Sequence, residues 1–334
     1  MASFSKFGND LYTGARSYNI VGRRRIWFSI AAVLVLIAIL VPIVRGFNFS
    51  VEFKGGSLFT VSDVGSSPDQ RLATAAVGSV VPGEVPTVVV AGAGTNTTSV
   101  QVTTNLLTAL KTTDVQAALA KAYDVPQSKV AATFIGASWG QDITQAAIEA
   151  LIAFIVLAVI IMALYFRTWK MSVAAIVALA HDLIIVVGVY ALLGFEVSPD
   201  AVIGLLTILG YSLYDTVVVF DKIRENTSED GEKSVRTFSE SVNLAVNQTL
   251  VRSINTSVVA LLPVAAILFI GATLLGAGTL RDISLALFVG ILSGTYSTIF
   301  VAAPLYALLR EREPDIQKRT KRTTVARTTS GAVR

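Results

Sequence analysis

Long apolar runs alternate with short polar stretches along most of the chain. They lie at roughly Ile26 to Val44, Thr144 to Phe166, Met171 to Leu193, Ala201 to Phe220, Ser253 to Leu275 and Ile283 to Leu309. Each is close to the ~20 residues an α-helix needs to cross a bilayer. The pattern predicts a polytopic α-helical membrane protein with six transmembrane helices. The first run follows Arg23, Arg24 and Arg25 and has no small-residue cleavage site before Arg45, which reads as an uncleaved anchor.

Between Gly46 and Ile143 the period changes. Phe49 to Val61 mixes β-branched and aromatic residues around Gly55-Gly56 and reads as a strand with a bulge or bend. Pro68 to Val80 reads as a short Ala-rich helix. Thr87 to Val90 and Ser99 to Thr104 read as strands joined across Gly92, Gly94 and Asn96. Val115, Leu119 and Ala122 keep helical spacing with Asp114 as a cap, and Lys129 to Ile135 returns as a strand. The order βαββαβ is that of the split ferredoxin-like motif. The chain thus divides into an N-terminal cytoplasmic segment (1–25), a first membrane helix (26–44), an α+β ferredoxin-like external domain between helices 1 and 2 (45–143), five further helices (144–309) and a basic tail (310–334). Gly136 to Gly140 reads as a pliable neck between that domain and the second helix, with Trp139 suited to the membrane interface.

Composition narrows the chemistry. With 53% hydrophobic and 15% charged residues in a chain of 334, a membrane protein is the consistent class. The absence of cysteine excludes disulfides and thiolate metal sites, and the single histidine excludes a multi-histidine metal centre; no cofactor motif is present. The net charge of +4 does not point to nucleic acid, because the basic residues cluster beside the ends of the apolar runs. Arg23 to Arg25, Lys170, Lys222 to Arg252 and Arg310 to Arg334 fall on one side of a six-span layout, which places both termini in the cytoplasm by the positive-inside rule. The tail from Arg310 reads as disordered and attracted to anionic membrane lipid.

Ionisable groups inside the spans are the candidate site, since a charge at membrane depth costs about 2.5–3.5 kcal/mol on insertion scales. His181 and Asp182 lie near the middle of the third span, where an interhelical clamp and a proton relay both stay open. Asp215 lies in the fourth, nearly in line with Gly204 and Tyr211 and flanked by Thr207 and Ser212 as a narrow polar stripe. Arg252, at the cytoplasmic start of the fifth span, is the expected counter-ion of Asp215. Asp221 and Arg224 fall at the membrane edge and read as topology and docking residues. Pro263 and Pro304 predict kinks, and Gly290 with Gly294 a small-residue packing face. Before the fifth span, Thr237-x-x-Glu240 resembles a capping box. The positions Phe238, Val242, Val246 and Leu250 then predict an amphipathic cytoplasmic helix at about 234–251, lying on the membrane surface or against the bundle.

The fourth-span run from Gly210 through Asp215 and Asp221 to Asn226 resembles the signature of the SecD/SecF family of bacterial protein-export subunits, on its SecF side. Ala180-His181-Asp182, the run Asn247 to Ser253 and Phe49 to Gly56 are similar to that family too, the last with Glu52 and Lys54 where the family has Asp and Thr. The resemblance implies one half of a transporter of the RND superfamily, an obligate SecD partner, the SecYEG channel with SecA, and unfolded preproteins as substrates. It also implies proton transfer through Asp215 and Arg252, and no enzymatic reaction. Half of an RND-type small-molecule or lipid transporter and a noncatalytic assembly scaffold are the competing readings.

Overall fold

The computed structural model describes residues 2–65, 68–91, 98–166, 168–229, 236–271 and 278–329. The hairpin signal at Gly92–Asn96 lies outside them. Helix α1 (Ala2–Tyr12) leads into α2 (Arg24–Arg45). The polar segment then gives β1 (Asn48–Phe49), a single turn α3 (Val51–Lys54), β2 (Gly56–Ser62), α4 (Gln70–Val80), β3 (Thr87–Ala91), β4 (Ser99–Thr104), α5 (Ala109–Ala122) and β5 (Val130–Ile135). Among the described residues that follow, the short strand is β6 (Glu196–Val197). The α-helices there are α6 (Ala137–Phe166), α7 (Trp169–Leu193), α8 (Pro199–Glu229), α9 (Phe238–Ala266), α10 (Gly278–Ser297), α11 (Ala303–Glu311) and α12 (Pro314–Thr329).

Among the described residues, six helical stretches are long and apolar enough to cross a membrane, in agreement with the six runs of the sequence. Their burial separates centre from rim. Only 11% of the first and second apolar windows is buried inside the protein, against 61% of the sixth, so α10 is the hub and α2 and α6 turn Ile30, Leu36, Ile152 and Ile160 outward. Residues without side chains let the hub close. Gly290 sits under Ile208 of α8, and a Cβ added at Gly294 would stand 3.1 Å from Ser212 Cβ, which realises the small-residue face. On α7, Gly188 lies against Ala38 of α2. Gly290→Leu is expected to overpack this seam and lower stability by about 1–3 kcal/mol, readable as a depressed thermal midpoint in detergent.

The α+β unit is a four-stranded antiparallel sheet in the order β3-β4-β2-β5. Alternation along β2 and β4 points Phe59, Val61, Val100 and Val102 to one face, where Val77 of α4 and Val115 and Leu119 of α5 complete a core. The expected single strand from Phe49 to Val61 is instead split. Ser50 to Lys54 close a helical turn, and Gly55 (φ 73°) and Gly56 (φ 147°) restart the chain as β2 in conformations that side chains disfavour. A Cβ at Gly56 would also strike the Thr104 carbonyl. Asp114 is not a cap: α5 begins five residues earlier, after Thr108, because the helical turn continues upstream of Val115.

Three further expectations are corrected. The neck at Gly136–Gly140 is the opening turn of the 30-residue α6, held because Gly140 admits the Phe53 carbonyl against its backbone. The amphipathic segment and the fifth span are one 29-residue helix, α9, whose Phe238, Val242 and Val246 pack into the bundle core beside Tyr306 rather than onto a membrane surface. The capping box that starts it is present: Thr237 Oγ1 accepts from the Glu240 amide and Glu240 Oε2 accepts from the Thr237 amide. The basic tail is helical over α12, anchored through Ile316, with Glu311 paired to Arg24 at 2.7 Å and Glu313 to Lys170 at 2.8 Å just before it. The N-terminal segment is docked as well, since Asn243 and Asn247 of α9 bond the backbone of Tyr18, Ile20 and Val21.

Both prolines border helical irregularities. A π-helical turn at Ile267–Gly271 follows Pro263, and another at Thr298–Ala302 precedes Pro304 and joins α10 to α11. Pro304 cannot donate to the carbonyl one turn before it, and in the widened turn the Ala303 amide donates to the Thr298 carbonyl.

Candidate functional site

The polar groups of the bundle gather where α7, α8, α9 and α10 meet. On α7, Asp182 is 1% exposed and His181 6%. Ser212 of α8 donates to Asp182 Oδ2 at 2.6 Å, and Ser297 of α10 donates to the same oxygen at 2.9 Å. Ser293 of α10 donates to Oδ1 at 2.8 Å, with His181 Nδ1 3.2 Å from that oxygen. Three serine donors, with the His181 ring nitrogen against Oδ1, surround both oxygens of the carboxyl group. Three helices thus share one anion.

Asp215 is 5% exposed and is bound differently. Ser253 of α9 donates to its Oδ1 at 2.9 Å, while Oδ2 is buried without a hydrogen-bond partner among the described residues. The expected ion pair with Arg252 does not form. Successive helix residues point about 100° apart, so turning Ser253 toward α8 turns Arg252 away. Its side chain is exposed, and it acts on Asp215 only through space.

A ladder of hydroxyl pairs runs on the same helices beside Asp215 and its partner Ser253. Thr216, next to Asp215, lies 2.9 Å from Thr298 at the start of the π-turn. Ser257, one turn beyond Ser253, lies 2.5 Å from Thr295 and receives the Tyr211 hydroxyl at 3.5 Å. Of the expected stripe, Ser212 and Tyr211 therefore reach the cluster. Gly204 instead packs against Ala286 and Ile283, and Thr207 is exposed, bonded back to the Ile203 carbonyl. Asp221 accepts from the Tyr165 hydroxyl at 2.8 Å away from the cluster, and Arg224 is exposed. Sequence reasoning missed Ser253, Ser293, Ser297 and Thr298. The signal was present, because Gly290, Ser293, Gly294 and Ser297 share one helical face, the i, i+3, i+4, i+7 pattern of a small polar stripe.

Fold and site together define a multi-pass membrane protein with a charged, hydroxyl-lined centre and one α+β domain inserted after its first span. The description "Protein export membrane protein SecD/SecF, C-terminal" matches residues 114–312, and "SecD/SecF GG Motif" matches residues 41–62, around Gly55 and Gly56. The chain belongs to the SecD/SecF family. It is 44% identical over 335 residues to the protein translocase subunit SecF of Streptomyces coelicolor, covering 100% of this chain and 87% of that one. The SecF of Mycobacterium tuberculosis is 42% identical, covering 95% of this chain and 72% of its own length. The crystal structure of SecDF, a translocon-associated membrane protein from Thermus thermophilus, superposes with a TM-score of 0.78 at 32% identity over 89% of this chain and 39% of that chain.

Proposed function

We propose that this chain is the SecF-type half of a bacterial protein-export device that uses the proton gradient to assist translocation, with Asp215 as its proton carrier. The carrying observation is the contrast between two buried aspartates. Asp182 has serine donors on both oxygens, whereas Asp215 keeps one oxygen bonded and one open in an apolar surrounding. A carboxylate with a vacant oxygen beside a hydroxyl ladder has room to take and release a proton; one bonded at both oxygens serves as a fixed clamp. His181 and Asp182 thus support the site, and Arg252 tunes it by its field. Asp221 and Arg224 serve docking at the membrane edge.

Several observations favour the rest of the reading. The βαββαβ order and the strand order β3-β4-β2-β5 are those of the split ferredoxin-like motif. Basic residues at both chain ends and in the α8–α9 connection favour cytoplasmic termini and an external α+β domain. The fused SecDF relative, of which this chain spans 39%, supports SecD as the partner, and through it the SecYEG channel, SecA and preprotein substrates. Affinity purification of this chain from its native membrane is expected to recover a SecD-type subunit in constant ratio. Collapsing the gradient with an uncoupler is expected to remove the export stimulation the pair confers on reconstituted vesicles. Stimulation that survives the uncoupler would contradict the proposal.

A further inference from the structure

Two short segments stitch the α+β domain to the bundle. Strands β1 and β6 pair in parallel, Asn48 with Glu196 and Phe49 with Val197, and the Ser50 amide donates to the Val197 carbonyl at 3.0 Å. The α3 turn follows at once and sets its Phe53 carbonyl on Gly140. Beside this seam opens a cleft of about 440 Å³, walled on one side by Leu58, Val89, Gln101 and Thr103 from the helix-free face of the sheet.

The other wall is anionic. Glu52 of α3, Glu196 of β6, Asp200 of α8 and Asp282 of α10 all line the cleft, one from each element. Arg281 also lines it, but its guanidinium sits 4.3 Å over the Phe195 ring, and Lys54 acts on Glu196 from the far end of α3. None of the four carboxylates makes an ion pair among the described residues. Asp282 Oδ2 accepts only from Ser198, at 2.9 Å. A second feature points to an unfilled polar position: Ser50, 3% exposed, lines the same cleft with a hydroxyl that has no partner among the described residues.

Four carboxylates facing two cations in a half-buried cleft repel one another, and a proton or another cation would relieve that repulsion. Among the described residues no three His, Cys, Asp or Glu side chains stand close enough to hold a metal ion. A proton fits, since a neutral carboxyl relieves the repulsion and gives its neighbours a donor. We propose that this cluster is a proton-binding site separate from the carboxylates inside the membrane, and that protons held there clasp the α+β domain onto the bundle. The separation is physical. Between Asp282 and the serines around Asp182 lies a packed apolar plug of Val186, Tyr190, Ala201, Leu285 and Ala286. Along α10 it is about 16 Å from Asp282 to Ser293 at 1.5 Å per residue.

The direction of the pH response follows from Glu196. Burial, then the Asp282 and Glu52 charges, raises its carboxyl above the usual glutamate value, with Lys54 and Arg281 opposing. The clasped state therefore binds more protons than the released one. Clasping is fully present below the ordinary glutamate pKa of about 4.3 and is lost as pH rises through the raised value. Only the compartment that supplies the proton depends on the orientation proposed above.

The chain has no cysteine, so Lys111→Cys on α5 and Leu192→Cys on α7, both exposed, accept a spin-label pair in the full chain in lipid nanodiscs without a gradient. The expected result is one short distance near about pH 5, and a longer one whose share grows by up to about tenfold per pH unit toward about pH 8, the ceiling for one linked proton. Glu196→Gln is expected to keep the short distance at both pH values, and Glu52→Gln to flatten the response in the same direction. Asp215→Asn should respond like the parent, which separates this site from the proton carrier. A parent distribution that ignores pH, or neutral variants that still follow it, would overturn the proposal.

Discussion

Asp215→Asn is expected to abolish the gradient-dependent part of export while leaving the bundle folded. Asparagine keeps the shape of the side chain and an oxygen that accepts from Ser253, now at 2.9 Å. What is removed is the ionisable group itself, both its charge and its capacity to carry a proton on the vacant oxygen. Each proton moving through ~100 mV releases about 2.3 kcal/mol. At 1.4 kcal/mol per factor of ten, that biases a two-state domain movement by about 50-fold per proton. The variant forfeits that bias, so stimulation by an imposed gradient should fall to the level of vesicles lacking the chain. The stability should stay within about 1 kcal/mol of the parent, the scale of a single hydrogen bond. Full gradient-dependent stimulation by a folded Asp215→Asn protein would exclude Asp215 as the carrier.

This prediction depends on a partner the sequence did not reveal. Asp215 stood out because a carboxylate inside an apolar run has an obvious cost, but its hydrogen-bond donor is set by the rotation of α9. One residue decides whether Arg252 or Ser253 faces α8, and no local pattern fixes that angle. Features written in short-range periodicity were legible: the six apolar helices, the capping box at Thr237, the edges of β4, and the Gly290–Gly294 seam. Features set by long-range packing were not. The helical turn of α3 depends on Gly140 receiving Phe53 from 87 positions earlier in the chain, and the order in α12 rests on Ile316 reaching the bundle core. The reading of α9 as two elements failed for a related reason. Its first turns present Phe238 and Val242 to Tyr306, and that contact is invisible to a hydropathy pattern that registers only a change in polarity.

Asp182→Ala is expected to cost more stability than Asp215→Asn and to lose function through the fold. The carboxylate holds Ser212 of α8 and Ser293 and Ser297 of α10 to α7, beside His181. Interhelical hydrogen bonds in membranes average about 0.6 kcal/mol each, which sets a floor of about 1.8 kcal/mol for the three serine bonds. The stranded donors add to this, although not fully. Ser297 Oγ is already 3.2 Å from the Gly294 carbonyl and can turn to it, whereas Ser212 and Ser293 lose their only described acceptor. A loss of about 3–5 kcal/mol is the result, within the range for breaking a buried charged pair and a large share of a typical 5–15 kcal/mol. Asp182→Asn retains one acceptor oxygen and a compatible shape, and should recover part of that loss. Thermal unfolding of the three proteins in detergent should therefore rank parent, Asp182→Asn and Asp182→Ala in falling order, with Asp215→Asn beside the parent. An alanine variant that melts with the parent would show that the serines do not clamp the helices through Asp182, and would remove the contrast that assigns proton transfer to Asp215 and fixed charge to Asp182.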